Sequence, residues 1–308
     1  MKKIYVLTLA IAFAFTAYGQ KDTSYWTTTG IFGVKLSQVA YKNWSAGGEN
    51  SLAAIGSFQY QATYLKDRVS WDNLLLADLG FLKQGTDSLR KTDDRFELNS
   101  KFGYGFNKSN HWFYSALINF KSQFMNGYDF TNDTPAYISN FMAPAYLKLA
   151  LGIDYQQESK FTLFMSPTTA RWTFVNDQTL ADAGSYGVDA AVLDANGTII
   201  TPGKNVRFEL GAFLRAAYSH DLMENINLLT KLELYSNYLD RPQNIDVDWL
   251  VTLNFKINKY FTASITGHMI YDHDIKFGID SNNDGAADYQ APRTQFKEVL
   301  GIGFNYKF

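Results

Sequence analysis

Apolar and polar residues alternate along most of the chain, the pattern of β-strands that have one buried or lipid-facing side. In residues 51–65, Phe58 and Tyr60 alternate with Gln59 and Gln61. These segments commonly run for about 11 residues or more, the length that a tilted strand needs to cross a bilayer. We therefore predict an all-β, up-and-down antiparallel transmembrane barrel of about 12 strands. The predicted strands are 28–39, 51–65, 69–82, 95–106, 111–124, 145–155, 161–175, 206–218, 226–238, 245–257, 261–272 and 294–308.

Charged residues fall on one of the two faces of these strands, that is, on one parity of the alternating positions. Glu298 is the only charged residue on the other parity. A charge that faces lipid at mid-bilayer costs about 2–4 kcal/mol, so the uncharged parity is predicted to face lipid and the charged parity a lumen. The charges expected to line the lumen are Arg207, Glu209, Arg215, Lys231, Glu233, Asp246, Asp248 and Lys256. We expect the arginines to pair with the glutamates, and the lysines with the aspartates, across neighbouring strands.

Long and short connections alternate between the predicted strands. Outer-membrane barrels have long extracellular loops and short periplasmic turns, so the short set and both chain termini are predicted to be periplasmic. Pro167 interrupts the seventh strand at a point where the apolar parity flips, which predicts a β-bulge. The long connections are 40–50, 83–94, 125–144, 176–205, 239–244 and 273–293, and the short ones are 66–68, 107–110, 156–160, 219–225 and 258–260.

The N-terminus has the features of a secretory signal. Lys2 and Lys3 precede an apolar stretch at 4–15, which ends in the small-residue pattern Ala17-Tyr18-Gly19. A membrane anchor, the alternative, would need about 20 apolar residues. We predict a cleaved signal peptide at 1–19 and an outer-membrane β-barrel at 20–308.

Composition excludes several classes of site. The chain is 46% hydrophobic and 16% aromatic, yet its mean hydropathy is only −0.21, as expected for interleaved apolar and polar residues. It has no cysteine, which excludes disulfides, thiolate zinc sites and cysteine nucleophiles. A net charge of −2 supplies no basic field for nucleic acid, so no nucleic-acid partner is expected.

The C-terminus carries a second targeting feature. Phe304, Tyr306 and the terminal Phe308 stand at alternate positions of the last predicted strand. This ending resembles the C-terminal signal that outer-membrane assembly machinery recognises. The assembly machinery and outer-membrane lipid are therefore the expected partners.

Four stretches together resemble one family. They are residues 43–50, the Ser166-Pro167 pair, residues 244–249 and residues 296–301. The chain resembles an uncharacterised family of Bacteroidota outer-membrane proteins, which is known as a domain of unknown function. The resemblance implies an outer-membrane barrel over essentially the whole mature chain. It brings no substrate and no catalytic residue with it.

Two loops suggest ligand contacts, each beside a plainer interpretation. Asp280, Asn282, Asp284 and Asp288 have the spacing of the first part of a calcium loop, but the bidentate glutamate at position 12 is replaced by Ala291. The hypothesis is weak calcium binding, against a solvated loop of turn-forming residues; no other cofactor is expected. Residues 43–50 contain Trp44 and suggest either a ligand-contacting loop or, as we favour, a glycine-dependent turn.

We predict that the protein is not an enzyme. A phospholipase-type site needs a serine, a histidine and an orienting polar residue in hydrogen-bond reach. Of the four histidines, His111 and His220 fall at predicted turns and His273 in a loop, so His268 is the sole candidate on the lumen parity. A single histidine on a polar wall is usually only hydrogen-bonded.

Twelve strands at ordinary spacing and tilt give a backbone radius of about 12 Å, between filled eight-stranded barrels and open porins. Together with the mixed charges, this size indicates a narrow channel for passive or facilitated passage of small polar solutes. The alternative is a non-conducting scaffold that presents its long loops to a partner or a secretion apparatus.

Overall fold

The protein is a closed antiparallel barrel of twelve strands in which each strand pairs with its neighbours in sequence and β1 pairs with β12. The structure, a computed structural model, describes residues 25–40, 49–106, 111–130, 134–157, 160–282 and 288–308. The predicted all-β barrel is confirmed. Its strands are β1 (Trp26–Val39), β2 (Ser51–Lys66), β3 (Val69–Gln84), β4 (Arg90–Gly105), β5 (Trp112–Ser122), β6 (Ala145–Gln157), β7 (Phe161–Phe174), β8 (Val206–Met223), β9 (Ile226–Asn237), β10 (Ile245–Lys256), β11 (Phe261–Tyr271) and β12 (Gln295–Lys307).

The barrel closes where the two ends of the chain meet. The pairing of β1 with β12 runs from Ile31 opposite Lys307 to Leu36 opposite Ile302. Gly30 and Phe308 extend it through two backbone hydrogen bonds of 2.8 and 2.9 Å. A Cβ at position 30 would lie 2.3 Å from the Phe308 ring, so glycine is needed there for the ring to cover the strand. The terminal phenylalanine is therefore part of the closing seam.

The outer surface is apolar, as a lipid-facing wall requires. Phe32, Leu98, Leu151 and Leu300 are among the exposed residues of this face. Polar groups on it bond to one another: the Trp71 indole donates to Ser100 Oγ at 2.9 Å, and that hydroxyl donates to Asn73 at 2.8 Å. Aromatic pairs gather near the turns, including Trp26 with Trp71 and Trp112 with Tyr155. Such aromatics are typical of the bilayer interface.

The Pro167 bulge is confirmed by the strand register. Thr168 faces Leu151, but two positions on, Ile153 faces Met165, so one extra residue of β7 is accommodated at this point. The same region also shifts the register against β8. The bulge shifts the inward–outward alternation by one residue after the proline. It therefore decides which side chains of the second half of β7 point inward.

One predicted loop is much shorter than expected. The connection predicted at 83–94 shrinks to residues 85–89, because β3 extends to Gln84 and β4 begins at Arg90. Charged residues continue this hairpin beyond the apolar band, where they pair locally, as in the Arg90–Asp87 contact of 2.7 Å. On the opposite rim, β8 extends to Met223 and leaves a turn at 224–225. The predicted turn at 107–110 lies outside the described residues.

Two long loops pack against each other above β5–β8. The first contains a short hairpin (Gly127–Asp129 with Ala136–Ser139), and the second contains helix α1 (Gln178–Asp182) and a hairpin of Val192–Leu193 with Ile199–Thr201. They share an apolar core, and Tyr137 and Tyr186 pack against it. We call these two loops the cap. The buried residues of its core are Ala143, Val175, Leu180, Ala181 and Val188.

Polar contacts also join the two cap loops. The Tyr137 hydroxyl donates to the Asp177 carboxylate at 3.0 Å, and Asp177 also accepts from the backbone N–H of Leu180 at the start of α1. Burial and the nearby Asp177 charge raise the pKa of Tyr137. The Tyr186 hydroxyl donates to the carbonyl of Ile138 at 2.6 Å. The cap is thus one packed unit.

Within the described part of the chain, no helix is long and apolar enough to span a membrane. The predicted signal peptide at 1–19 and most of the predicted Trp44 loop lie outside the described residues. Both stay predictions.

Candidate functional site

The interior of the barrel has two unlike sides. On β4–β9, which we call the packed wall, inward-facing side chains fill the space between the strands. Phe113, Leu117, Phe164, Phe213 and Tyr235 point inward there and are only 2–4% exposed. Four of them, with Ala150, form one apolar cluster. This half of the lumen is a packed core.

On β10–β12 and β1–β3, which we call the open wall, most inward-facing side chains are partly exposed. Many of them carry uncharged polar groups, and some bond to one another, as Thr252 and Thr266 do at 3.2 Å. Solvent therefore reaches this side of the lumen over most of its length. Partly exposed inward residues of the open wall include Thr29, Lys35, Ser57, Gln59, Asp72, Asp78, Thr252, Thr266, His268 and Gln295.

Arg171 is the centre of the charge network at the loop end of the lumen. Its guanidinium binds Glu209 in a bidentate pair, at 2.6 and 2.7 Å, and donates to Asp246 at 3.1 Å. The same group stacks over the Tyr235 ring, 4.2 Å from its centroid. Bidentate arginine–carboxylate pairs combine strength with a fixed geometry. Arg171 thus ties the packed wall to β10 of the open wall.

Arg207 continues this network to the mouth of the barrel. It contacts Glu209 at 3.1 Å and pairs with Asp274 in the connection between β11 and β12. Beside it lies a cavity of about 380 Å³, whose lining includes Gly187 of the cap and His273. Asp189, also at this mouth, is bonded to Lys204, and this contact lowers the pKa of Asp189.

Glu233 is the centre of a second network at mid-lumen. Three cations surround its carboxylate: Arg215 at 2.9 Å, Lys148 at 3.2 Å and Lys231 at 3.2 Å. The Lys148 ammonium also lies 3.9 Å from the centroid of the Phe213 ring. A single carboxylate here faces three positive charges.

The structure brings the predicted lumen residues together in a pattern that differs in part from the predicted pairs. Arg215 meets Glu233, as the sequence suggests, and Arg207 meets Glu209 within its own strand. The lysine–aspartate pairing is wrong. Lys231 contacts Glu233, because that residue lies two positions along the same strand face, and among the described residues no ion pair involves Lys256.

The two predicted aspartates find other partners. Asp246 binds Arg171, and Asp248 accepts from His268 Nε2 at 2.9 Å. Arg171 is the residue that sequence reasoning missed. The signal was present, since the parity flip at Pro167 turns Arg171 inward, but the flip has to be carried through the rest of β7 to find it.

His268, the sole predicted wall histidine, faces the lumen with Leu250 and Lys297 opposite it on the adjacent strands. Its bond to Asp248 is the ordinary hydrogen bond expected for a histidine on a polar wall. His111 Nδ1 lies 3.0 Å from the Gln156 carbonyl at a turn. The absence of enzymatic activity stays a prediction.

The predicted calcium loop is only partly described, since Asp284 lies outside the described residues. Asp288 accepts from the backbone N–H and the hydroxyl of Ser281, at 2.8 and 2.5 Å, and these bonds lower the pKa of Asp288. Asn282 lies 3.5 Å from the same carboxylate, and Asp280 directly follows the strand Lys276–Ile279. The described residues contain no group of three or more side chains arranged to hold a metal ion. Calcium binding stays a prediction.

The predicted assembly residues lie together at the seam. Phe304 packs against Phe261 and Tyr260, and Tyr306 stacks on Phe308. All three residues of the predicted signal face outward and are exposed, Phe308 by 60%. Their recognition by assembly machinery stays a prediction.

Comparison with known families finds a match to part of the chain. Residues 36–128 match a family described as "Protein of unknown function (DUF3078)". No curated protein sequence matches the chain. The predicted origin in the Bacteroidota is not tested by these matches.

Solved outer-membrane barrels overlay on the chain at low identity. An outer-membrane channel from Pseudomonas putida F1 is 13% identical, with a TM-score of 0.40 and coverage of 94% of this chain and 100% of the other. The translocator domain of the autotransporter NalP from Neisseria meningitidis is 9% identical, with a TM-score of 0.37 and coverage of 97% and 93%. These overlays do not bear on solute or partner.

The architecture of the barrel indicates the membrane in which the protein resides. A closed barrel with an apolar outer face, aromatic groups near its rim and a charged interior is the design of outer-membrane proteins. In a soluble barrel, the charges would face outward. The chain is an outer-membrane β-barrel.

Proposed function

We propose that the chain is a narrow outer-membrane channel through which small polar solutes pass along the open wall. The observation that carries the proposal is the row of partly exposed, mostly uncharged polar side chains on one side of the lumen, which includes Ser57, Gln59, Thr252 and Thr266. Hydroxyl and amide groups can replace the water shell of a polar solute without holding it tightly.

The packed wall supports the narrowness of this path. A twelve-stranded barrel has a backbone radius of about 12 Å, and side chains take up much of that width even where the wall is unfilled. Phe164 and Phe213 meet inside the packed wall, with ring centroids 6.2 Å apart. Passage is therefore confined to the opposite side of the lumen.

The proposed orientation follows from the connections. The cap and the hairpin Lys276–Ile279 with Tyr289–Pro292 lie at one rim, while the opposite rim carries short turns such as 67–68 and 224–225. Because long loops of outer-membrane barrels are extracellular, we place the cap outside the cell and both termini in the periplasm.

Single-channel recording in planar bilayers tests the channel. We expect Thr266→Trp, which adds a large ring to the open wall, to reduce the conductance of the wild-type barrel several-fold. Ala77→Trp is the matched control, because Ala77 lies on the outward parity of β3, opposite Phe58. Absence of conductance from correctly folded wild-type protein would contradict the proposal, as would equal conductance in Thr266→Trp.

The cap favours a second candidate, a scaffold that presents loops to a partner. Its hairpin exposes four aliphatic side chains: Val192, Leu193, Ile199 and Ile200. Exposed apolar groups on a packed loop are typical of a contact surface. A folded barrel that does not conduct, but loses a partner on Leu193→Asp, would replace the channel with this function.

A further inference from the structure

We propose that the packed wall holds a binding site for a compact oxyanion, centred between Glu233 and Lys121. The site goes beyond the proposed channel, because it requires neither conduction nor an open lumen. Nothing in the family match or in the overlaid structures assigns it.

The first argument is the surplus of positive charge. Lys121 lines the same mid-lumen cavity as Lys148, Lys231 and Glu233. It lies opposite Glu97 on the neighbouring strand, but its ammonium is within ion-pair distance of no carboxylate in the described part of the chain. With Arg215, the group has four cations, against the two carboxylates of Glu233 and Glu97. The surplus is two positive charges, and it is still one when Asp248, which His268 bonds, is included.

The residues around the cavity bear charges of both signs. The Glu97 carboxylate accepts from Asn99 at 2.9 Å and from Asn119 at 3.0 Å, so part of its capacity is taken by neutral amides. Arg95 approaches Glu97 at 3.7 Å, but it adds another cation and pairs more closely with Asp78, at 2.6 Å. Arg171 also lines the cavity, but it is bound by two carboxylates, Glu209 and Asp246, so the wider network is neutral and the positive surplus is confined to the mid-lumen group.

The second argument is desolvation. Glu233 is the one carboxylate that Lys148, Lys231 and Arg215 share. The Glu233 and Lys148 side chains are only 13% and 14% exposed, whereas Lys231 is 31% exposed. Ammonium groups withdrawn from water need a counter-charge, because unpaired buried charges are costly. A bound anion would supply that charge and accept hydrogen bonds from the ammonium groups of Lys121 and Lys231.

The third argument is size. The mid-lumen cavity has a volume of about 140 Å³. A water molecule occupies about 30 Å³ of liquid, so this volume accommodates a tetrahedral oxyanion with one or two waters. Several ammonium groups on its lining match an anion with several acceptor oxygens.

Inorganic phosphate is the probe for the test. We expect isothermal titration of the folded, detergent-solubilised barrel, in low-salt buffer without other oxyanions, to show saturable binding at millimolar concentrations or below. Lys121→Met should weaken binding about tenfold or more, as the loss of one charge-assisted contact does. Lys256→Met is the matched control and should leave binding unchanged, since Lys256 does not line the cavity.

A variant with the opposite sign separates binding from structural damage. Glu97→Gln removes a competing negative charge and keeps the shape of the side chain, so it should tighten phosphate binding several-fold, whereas a merely damaged site would bind more weakly. Each variant is checked for folding by the mobility shift between unboiled and boiled samples.

No saturable heat up to about 10 mM phosphate would overturn the site, because the surplus charge should bind well below that level. Equal binding in Lys121→Met and wild type would overturn it as well. Neither result depends on conductance, so the site and the channel stand or fall separately.

Discussion

The packed wall and the open wall arise from the same alternating pattern and differ only in what points inward. On the packed wall, large aromatic and aliphatic residues such as Phe113, Leu117 and Phe164 are almost fully buried. On the open wall, the inward positions carry groups such as Ser57 and Gln59, which solvent reaches. In a barrel of twelve strands, the size of the inward side chains therefore decides whether a given side becomes a core or a path.

Small residues keep the open wall unobstructed. Inward-facing Gly301 and Gly303 on β12 leave room for the Lys35 stem, since a Cβ at position 303 would lie 2.8 Å from Lys35 Cγ. Lys35 crosses β12 there and donates to Ser264 at 2.9 Å. A long charged side chain thus lies flat along the open wall, whereas on the packed wall such side chains meet at mid-lumen.

Substitution of Arg171 is expected to give the largest difference between the walls in the free energy of unfolding. Arg171→Met removes the bidentate partner of the buried Glu209, which keeps only its 3.1 Å ion pair with Arg207, and it also removes the partner of Asp246. Loss of one member of a buried ion pair costs about 3–5 kcal/mol. Urea unfolding of the refolded barrel should show this loss. Lys256→Met, on the open wall, should change the free energy of unfolding by less than about 0.5 kcal/mol, and equal effects would contradict the distinction between the walls.

A smaller difference is expected for leucines that point inward on each wall. Leu117→Ala creates a cavity in the packed wall and should lower the free energy of unfolding by about 2–5 kcal/mol. Leu76 is partly exposed on β3, so Leu76→Ala should cost about 1 kcal/mol or less. The same urea titration checks both variants. A loss at Leu76 as large as that at Leu117 would mean that the open wall is also a packed core.

The seam of the open wall gives a third comparison. Gly30→Ala places a methyl group against the Phe308 ring. Because that ring is the far end of an exposed side chain and is able to swing away, the cost should lie near the lower end of the about 1–3 kcal/mol that overpacking costs in a core. Gly56→Ala is the control on the adjacent strand, because a Cβ there meets only a carbonyl oxygen at 3.9 Å. Heat-modifiability on gels should show a lower melting temperature for Gly30→Ala alone. Unchanged melting would show that the ring does not need its place on Gly30.

The smallest effect on the whole barrel is expected in the cap above the packed wall. Leu180 is 5% exposed and Leu193 is 55% exposed, so aspartate at position 180 should open the cap while aspartate at 193 should not. Hydrogen exchange should then increase in 175–205 but not in the barrel strands, since loops open locally. Exchange that spreads into β7 and β8 would show that the cap and the packed wall are one cooperative unit.

Much of the barrel was predictable because strand alternation is a local property. The predicted strands differ from the observed ones mainly at their ends, where β3, β4 and β8 run beyond the apolar band. Pro167 marked its own bulge, since proline cannot continue a strand ladder. Arg171 lies four positions after Pro167. It was overlooked because the direction of its side chain depends on that bulge.

By itself, the sequence determined the strand order, the lipid-facing parity and the charged interior, because each depends on residues next to one another or two apart. Only the tertiary structure decided which charges meet and which half of the lumen is filled. Lys148 and Glu233, or Arg171 and Asp246, are far apart in the chain and are brought together by barrel closure. Contacts across a lumen depend on the curvature of the barrel and on the length of the side chains that meet. The alternation within a single strand specifies neither of these.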